Sequence, residues 1–166
     1  MIILGIDPGT ATTGFGVLKV ENQKIKPLVW GLIETDKESS PGKRLLKIFN
    51  MIRGIVKEYK PDVMSIEKLF FATNAKTAMR VGQAQGVMIY CGAICKIKVF
   101  EYAPGTIKKI ITGSGRSDKK EVQKYLRRIL GNNIKSQAHK KTHFDNAADA
   151  LAVAVCHAVK ENVFKI

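Results

Sequence analysis

Short apolar runs separated by turn residues fill the first part of the chain. Residues 2–6 form a continuous apolar run, which is typical of a central strand that is covered on both faces. Pro8 and Gly9 predict a turn, and residues 14–17 begin a second strand. Residues 25–35 read as a third strand. The pattern therefore predicts three sequential antiparallel strands.

The next part of the chain alternates between helical periodicity and short apolar runs. From about 42 to 59 the apolar residues recur at intervals of three and four, which predicts an amphipathic helix. Pro61 ends that pattern, and residues 63–66 predict a short fourth strand. A long helix is predicted from about 74 to 95, and a fifth strand over 99–102.

Two more helices are predicted in the last third of the chain. Ser117 is predicted to cap the first of them. Its buried stripe consists of Val122, Tyr125, Leu126, Ile129 and Leu130. Residues 144–159 are apolar nearly all round, which predicts a buried helix. Together the elements predict an α/β fold in a single domain over 1–166: a mixed five-stranded sheet, three antiparallel strands and then parallel ones, flanked by helices.

The charge of the chain is strongly basic. Its 166 residues carry 28 Lys and Arg against 14 Asp and Glu, a formal net charge of +14. Eleven of these cations lie between residues 105 and 141. This concentration favours a polyanionic partner such as nucleic acid over a basic proteome or simple solubility.

Composition gives no indication of secretion or of a membrane. Cys91, Cys95 and Cys156 lack zinc-ligand spacing and favour reduced, buried thiols. The N-terminus has no basic leader, and no apolar run approaches the ~20 residues of a membrane span. We therefore expect a cytoplasmic protein without membrane contact.

Three acidic residues stand where burial is costly unless a positive partner is present. Asp7 follows the first strand, Glu67 ends the fourth, and Asp149 lies within the apolar C-terminal helix. If the two strands are neighbours, Asp7 and Glu67 meet at one edge of the sheet, where a divalent cation would relieve their repulsion. The simpler interpretations are a solvated loop for Glu67 and a helix-dipole contact for Asp149.

The turn after the first strand has an Asp-x-Gly-Thr pattern that serves two kinds of chemistry. One places the carboxylate on a divalent metal at a nucleic-acid phosphodiester. The other holds nucleotide phosphates, as in actin-like or sugar-kinase-like domains, and needs a second such turn and a much longer sequence. Three acids on this order of strands and helices instead describe a ribonuclease-H-like sheet that holds two Mg²⁺.

Candidate DNA contacts lie beside these acids and in the basic region. Two adjacent aromatic residues, Phe70 and Phe71, are hard to bury together, so one is a candidate for stacking on bases, with burial of both as the equal alternative. Arg116 lies in a Gly-rich turn, and Lys120 lies on the polar face of the following helix. For both, phosphate contact is favoured over a simple solvated face.

Four stretches carry a specific match to a known family. They read LGIDPGT…TGFGV, IEKLFFATNAKTAMRVGQAQGV, VFEYAP…IKKIITGSGRSDKKEVQ and DNAADALAVAVCHA. Through them the chain resembles the RuvC family of Holliday-junction resolvases along nearly its whole length. The resemblance implies a homodimeric endonuclease that makes paired nicks in four-way junction DNA during recombination and repair. It also implies two Mg²⁺ per active site, with Mn²⁺ as a substitute, and cooperation with the branch-migration proteins RuvA and RuvB.

The resemblance also implies roles for particular residues. The implied acidic metal ligands, which are also the catalytic residues, are Asp7, Glu67 and Asp149. Phe70 corresponds to the aromatic residue that stacks on junction bases, and Lys108 and Lys119 correspond to lysines near the cleaved phosphate.

Asn146 departs from the family pattern, which usually has Asp or His three residues before the last Asp. We include Asn146 in the catalytic and metal-binding set, although an amide is neutral and offers a metal a single oxygen. It is a weaker natural ligand, or Asp145 takes its place, or the position was substituted to trap substrate. The alternative function is therefore a junction-binding protein with impaired cleavage.

Overall fold

In the computed structural model of the chain, residues 1–68, 75–131, 134 and 141–166 are described, apart from the side chains of 76 and 141–145. The strands are β1 (Ile2–Asp7), β2 (Thr12–Glu21), β3 (Lys24–Glu34), β4 (Val63–Glu67) and β5 (Lys98–Tyr102). The helices are α1 (Pro41–Tyr59), α2 (Ala75–Ile94), α3 (Pro104–Thr112), α4 (Lys119–Leu130) and α5 (Lys141–Lys160). The predictions for Phe70 and Phe71 lie outside the described residues.

The strands form one sheet in the order β3-β2-β1-β4-β5. β1 pairs antiparallel with β2, and β2 pairs antiparallel with β3. β1 is parallel to β4, and β4 is parallel to β5. The predicted mixed five-stranded sheet is therefore confirmed, and the two strands that end in Asp7 and Glu67 are direct neighbours.

Alternation along the central strands assigns their side chains to two hydrophobic cores. On β1, Leu4 and Ile6 pack in the core of α1 and α2, whereas Ile3 packs in the core of α3, α4 and α5. Successive side chains of a strand point to opposite faces. Gly5 and Asp7 follow Ile3 on the same face of β1, and Glu67 has the same parity on β4, so both acids fall on the face that α3, α4 and α5 cover.

Glycines on β1 and β2 allow α5 to lie directly against the sheet. A Cβ at Gly5 would overlap the backbone carbonyl oxygen of Ala150, and one at Gly14 would overlap that of Asn146. From residue 147 to 158 every residue of α5 except Asp149 is buried. The prediction of a buried C-terminal helix is confirmed, and the helix is longer than expected by one residue at its end and three at its start.

Helix α3 was not predicted from the sequence pattern. It has nine residues, begins with Pro104 in its first turn and buries Ile107 and Ile111. Two buried positions are too few to establish a helical period against the surrounding lysines. This short helix places Lys108 on the side of the sheet that carries Asp7 and Glu67.

The predicted cap of α4 was wrong by one position. The carboxylate of Asp118, rather than the hydroxyl of Ser117, accepts a hydrogen bond from the backbone N–H of Glu121 at 2.8 Å. Ser117 is buried, and its hydroxyl lies 2.7 Å from that of Thr112. Asp is as good a cap as Ser, so two adjacent candidates were separated only by tertiary contact.

The prediction of reduced thiols agrees with the described structure. The three cysteines are free, with Cys91 and Cys156 buried and Cys95 partly so. No described helix is both long enough and apolar enough to cross a bilayer.

Candidate active site

Adjacent strand ends place Asp7 and Glu67 side by side. Ile6 pairs with Ile66 in the parallel ladder between β1 and β4, and the two acids are the next residues along. Neighbouring strands lie about 4.8 Å apart, which is within reach for carboxyl groups on the same face. The two side chains share a hydrogen bond.

Helix α5 brings the third carboxylate to the same place. Asp149 repels both Asp7 and Glu67 and raises the pKa of each. The ammonium group of Lys119, at the start of α4, lies 2.7 Å from Oδ2 of Asp149. Residues that are remote in sequence therefore converge in one group of three acids and one lysine.

Burial and mutual repulsion make Asp7 and Glu67 weak acids. Burial first, and then repulsion by Glu67 and Asp149, raises the pKa of Asp7 to about 8. Burial, followed by repulsion from Asp149, also raises the pKa of Glu67, although its hydrogen bond to Asp7 opposes that change. The Lys119 ammonium is the positive charge that the structure places beside these acids, and it offsets the rise in the pKa of both Asp7 and Glu67 only in part.

These residues fit a divalent cation. Carboxylate oxygens are the ligands that Mg²⁺ prefers, and repelling carboxylates gain most from a cation placed between them. Among the described side chains, no group of three or more acidic, His or Cys residues already forms a metal site. Asp7 is hydrogen-bonded to Glu67, and Asp149 is paired with Lys119. A divalent cation would relieve the mutual repulsion of these three carboxylates.

A cleft of about 190 Å³ opens beside the acids. It is lined by Glu67, Pro104, Ile107, Lys108, Lys119, Val122, Asp149 and Ala152. Two carboxylates and two ammonium groups therefore face the same space, one pair suited to cations and the other to phosphate oxygens.

The other predicted site residues are placed less centrally. Arg116 and Lys120 are exposed and do not line the cleft. Asn146 is half-buried on α5, one turn before Asp149. Phe70 and the side chain of Asp145 lie outside the described part of the chain. The structure thus brings together Lys108 and Lys119 with the acids, and leaves the roles of the others as predictions.

Sequence reasoning missed a contact that holds α5 beside β5. The hydroxyl of Tyr102 lies 2.7 Å from Nδ1 of the buried His157, and Tyr102 pairs with Glu67 in the β4–β5 ladder. The available signal was a single His in an apolar helix, eight residues after Asp149 and therefore near the same helical face. This contact joins the strand beside Glu67 to the helix that carries Asp149.

In metal-free buffer, Asp7 is expected to lower the stability of the folded protein as the pH rises. Its pKa is raised from 3.8 to about 8, so the folded protein keeps a proton that the unfolded chain releases between those values. As far as Asp7 is concerned, the free energy of unfolding is highest below pH ~4 and decreases progressively up to pH ~8. Thermal unfolding of the wild type and Asp7→Asn in a chelating buffer measures this loss.

The wild-type midpoint should fall relative to that of Asp7→Asn as the pH is raised, and added Mg²⁺ should restore it in the wild type. Comparing the two proteins removes the contribution of His157, whose pKa burial lowers. A difference between the midpoints that does not change with pH would contradict the burial of a protonated Asp7.

Comparison with known proteins gives one consistent result. Residues 3–157 match the family described as crossover junction endodeoxyribonuclease RuvC. The protein of that name from Alkaliphilus metalliredigens is 43% identical over 169 residues, which cover 100% of this chain and 99% of the relative. Its counterpart from Thermosipho melanesiensis is 45% identical over 160 residues, or 96% and 98% of the two chains. The solved structure of T. thermophilus RuvC in complex with a Holliday junction substrate has a TM-score of 0.86 and 28% identity, covering 97% of this chain and 94% of the other.

Proposed function

Because this chain belongs to the RuvC family of crossover junction endodeoxyribonucleases, it is a nuclease that resolves Holliday junctions, and we propose that Asp7, Glu67 and Asp149 form its catalytic centre. The observation that supports this assignment is the convergence of three mutually repelling carboxylates beside a cleft with two lysines. The solved relative that was determined with a junction substrate has the same fold.

The residues of the cleft have complementary tasks in this proposal. Asp7, Glu67 and Asp149, together with the amide oxygen of Asn146, would hold two Mg²⁺, which supply an activated water and stabilise the leaving 3′ oxygen. Lys108 and Lys119 bind non-bridging oxygens of the phosphate that is cut. Lys119 is held near the acids by Asp149 before DNA arrives, so that its ammonium can move from the carboxylate to the phosphate.

The remaining parts of the proposal concern assembly and surroundings. Cutting two opposing strands of a junction requires two active sites, which a homodimer supplies. We further propose cooperation with RuvA and RuvB in the cytoplasm, Mn²⁺ as a working substitute for Mg²⁺, and contact of Phe70, Arg116 and Lys120 with the junction.

Junction nicking by the wild type beside Asn146→Asp tests the function. We expect the wild type to nick a synthetic four-way junction in Mg²⁺ and to leave linear duplex uncut. An added carboxylate should change the rate and the metal requirement, because a second charged ligand binds a divalent cation more tightly than an amide. If only Asn146→Asp nicks, even with excess protein, the chain is a junction-binding protein with impaired cleavage.

Lys119→Met is expected to lower the nicking rate at saturating DNA, about 100-fold, because it removes a charge next to the reacting phosphate. The matched control is Lys120→Met, since Lys120 is the adjacent residue, carries the same charge and does not line the cleft. The control should weaken binding and its salt dependence while leaving the saturated rate near that of the wild type. Equal saturated rates for the two variants would show that Lys119 does not act on the phosphate that is cut.

A further inference from the structure

A second cleft lies on the other side of the turn that follows Asp7. Its volume is about 390 Å³. It is lined by Thr10, Lys37, Ser39, Pro41, Arg44, Leu45, Met79, Arg80 and Gln83. These residues come from the β1–β2 turn, the segment between β3 and α1, and the helices α1 and α2. The catalytic cleft opens on the face of α3, α4 and α5, so the two clefts flank the same edge of the sheet.

The lining of this second cleft is cationic. Lys37, Arg44 and Arg80 contribute three positive charges, and no acidic residue belongs to the lining. Within the part of the chain that the structure describes, none of the three forms an ion pair with a carboxylate. Ser39 and Gln83 add neutral hydrogen-bond donors. Such a set matches the oxygens of a phosphodiester.

Arg44 is oriented by a chain of neutral hydrogen bonds. Its Nε donates to the hydroxyl of Thr35 at 2.8 Å, and that hydroxyl donates to the carbonyl oxygen of Thr10 at 2.5 Å. Arg44 is half-buried, so its guanidinium is held in place by partners that do not neutralise its charge. The Nε–H is one of five donors in the group. Thr10 is three residues after Asp7, which links this cleft to the turn that carries the catalytic acid.

We propose that this cleft binds a backbone phosphate of junction DNA outside the strand segment that is cut. The proposal rests on the junction-resolving function proposed above and adds a second DNA contact to it. The cleft adjoins the β1–β2 turn through Thr10, so a DNA strand whose scissile phosphate lies at the acids would reach the cleft by passing over residues 8–11. Arg44, Lys37 and Arg80 then position the DNA without touching the reacting phosphate.

The double variant Lys37→Ala, Arg80→Ala tests this contact. Both side chains are exposed, so their removal should not disturb folding, whereas Arg44 is left intact because it supports the turn. The matched control is Lys24→Ala, Lys26→Ala, which removes the same charge from exposed positions at the opposite end of β3. Junction affinity is measured at several salt concentrations in Ca²⁺, and single-turnover nicking is measured at saturating protein in Mg²⁺.

We expect the cleft variant to bind the junction at least about tenfold more weakly, and the slope of log affinity against log salt to fall by about two, one for each cation that is removed. Its nicking rate at saturation should stay near that of the wild type. If affinity and slope instead equal those of the control variant, no phosphate binds in this cleft. If the variant changes the sedimentation mass of the protein but not its DNA affinity, the cleft is an interface between copies of the chain, and the proposal fails. Absence of nicking by the wild type would overturn the proposed function and leave the binding comparison intact.

Discussion

Asp7→Asn is expected to reduce nicking of a four-way junction by about a thousandfold or more, while junction binding stays close to that of the wild type. Asp7 lies at the centre of the acids, hydrogen-bonded to Glu67 and repelled by Asp149. Removing its charge removes a shared ligand for divalent cations, and preorganised charge at a reacting group is worth at least two to three orders of magnitude in rate. The basic surface that attracts DNA is unchanged.

Three measurements separate this effect from a folding defect. Single-turnover nicking in Mg²⁺ reports the chemistry, a gel-shift titration reports junction binding, and thermal unfolding in chelator at pH 8 reports stability. The variant should be more stable than the wild type under the last condition, because an amide in that position needs no proton. Glu58→Gln, which removes an exposed charge on α1, should change none of the three. A nicking rate near that of the wild type, or loss of junction binding, would show that Asp7 is not a catalytic metal ligand.

Gly5→Ala is expected to destabilise the protein by about 3 kcal/mol or more, a large share of the free energy of unfolding of a domain this size. The added Cβ would overlap the backbone oxygen of Ala150 and also meet the side chain of Ala154. Because backbone atoms cannot rotate away, α5 must move off the sheet as a whole. Asp149 moves with it, and a displacement of about 1 Å at a reacting centre can cost about 100-fold in rate.

Urea unfolding and the nicking rate per folded molecule measure the two losses. Gly16→Ala is the milder companion, since its Cβ would meet the side chain of Leu151, which can change rotamer, and it keeps the prediction testable if Gly5→Ala does not fold. Gly54→Ala is the control: nothing lies within 4 Å of its added Cβ, and alanine favours the helix by up to about 1 kcal/mol. A stable, active Gly5→Ala protein would show that α5 is not held by close contact at this glycine.

Local patterns were sufficient to predict most of the elements and the identity of the acids. Three apolar segments each indicate a carboxylate whose burial is unfavourable without a partner: the run before Asp7, the short run before Glu67 and the helix around Asp149. Family resemblance added Lys108 and Lys119, which the structure places in the cleft. Periodicity could not detect α3, which buries only two strong positions, and it could not choose between Ser117 and Asp118 as the cap of α4.

The sequence by itself determined the five strands, most of the helices and the acids that these elements carry, because periods of 2 and 3.6 are properties of the local chain. Tertiary structure alone decided which remote residues meet. The order of β1 and β4 pairs Asp7 with Glu67, the glycines of β1 and β2 admit α5, and the packing of α4 brings Lys119 to Asp149. The cationic cleft of Lys37, Arg44 and Arg80 arises in the same way, since two segments far apart in sequence, 37–45 and 79–83, meet at the turn that contains Thr10. Strand order and helix docking are set by the fit of whole surfaces, which no local window of sequence contains.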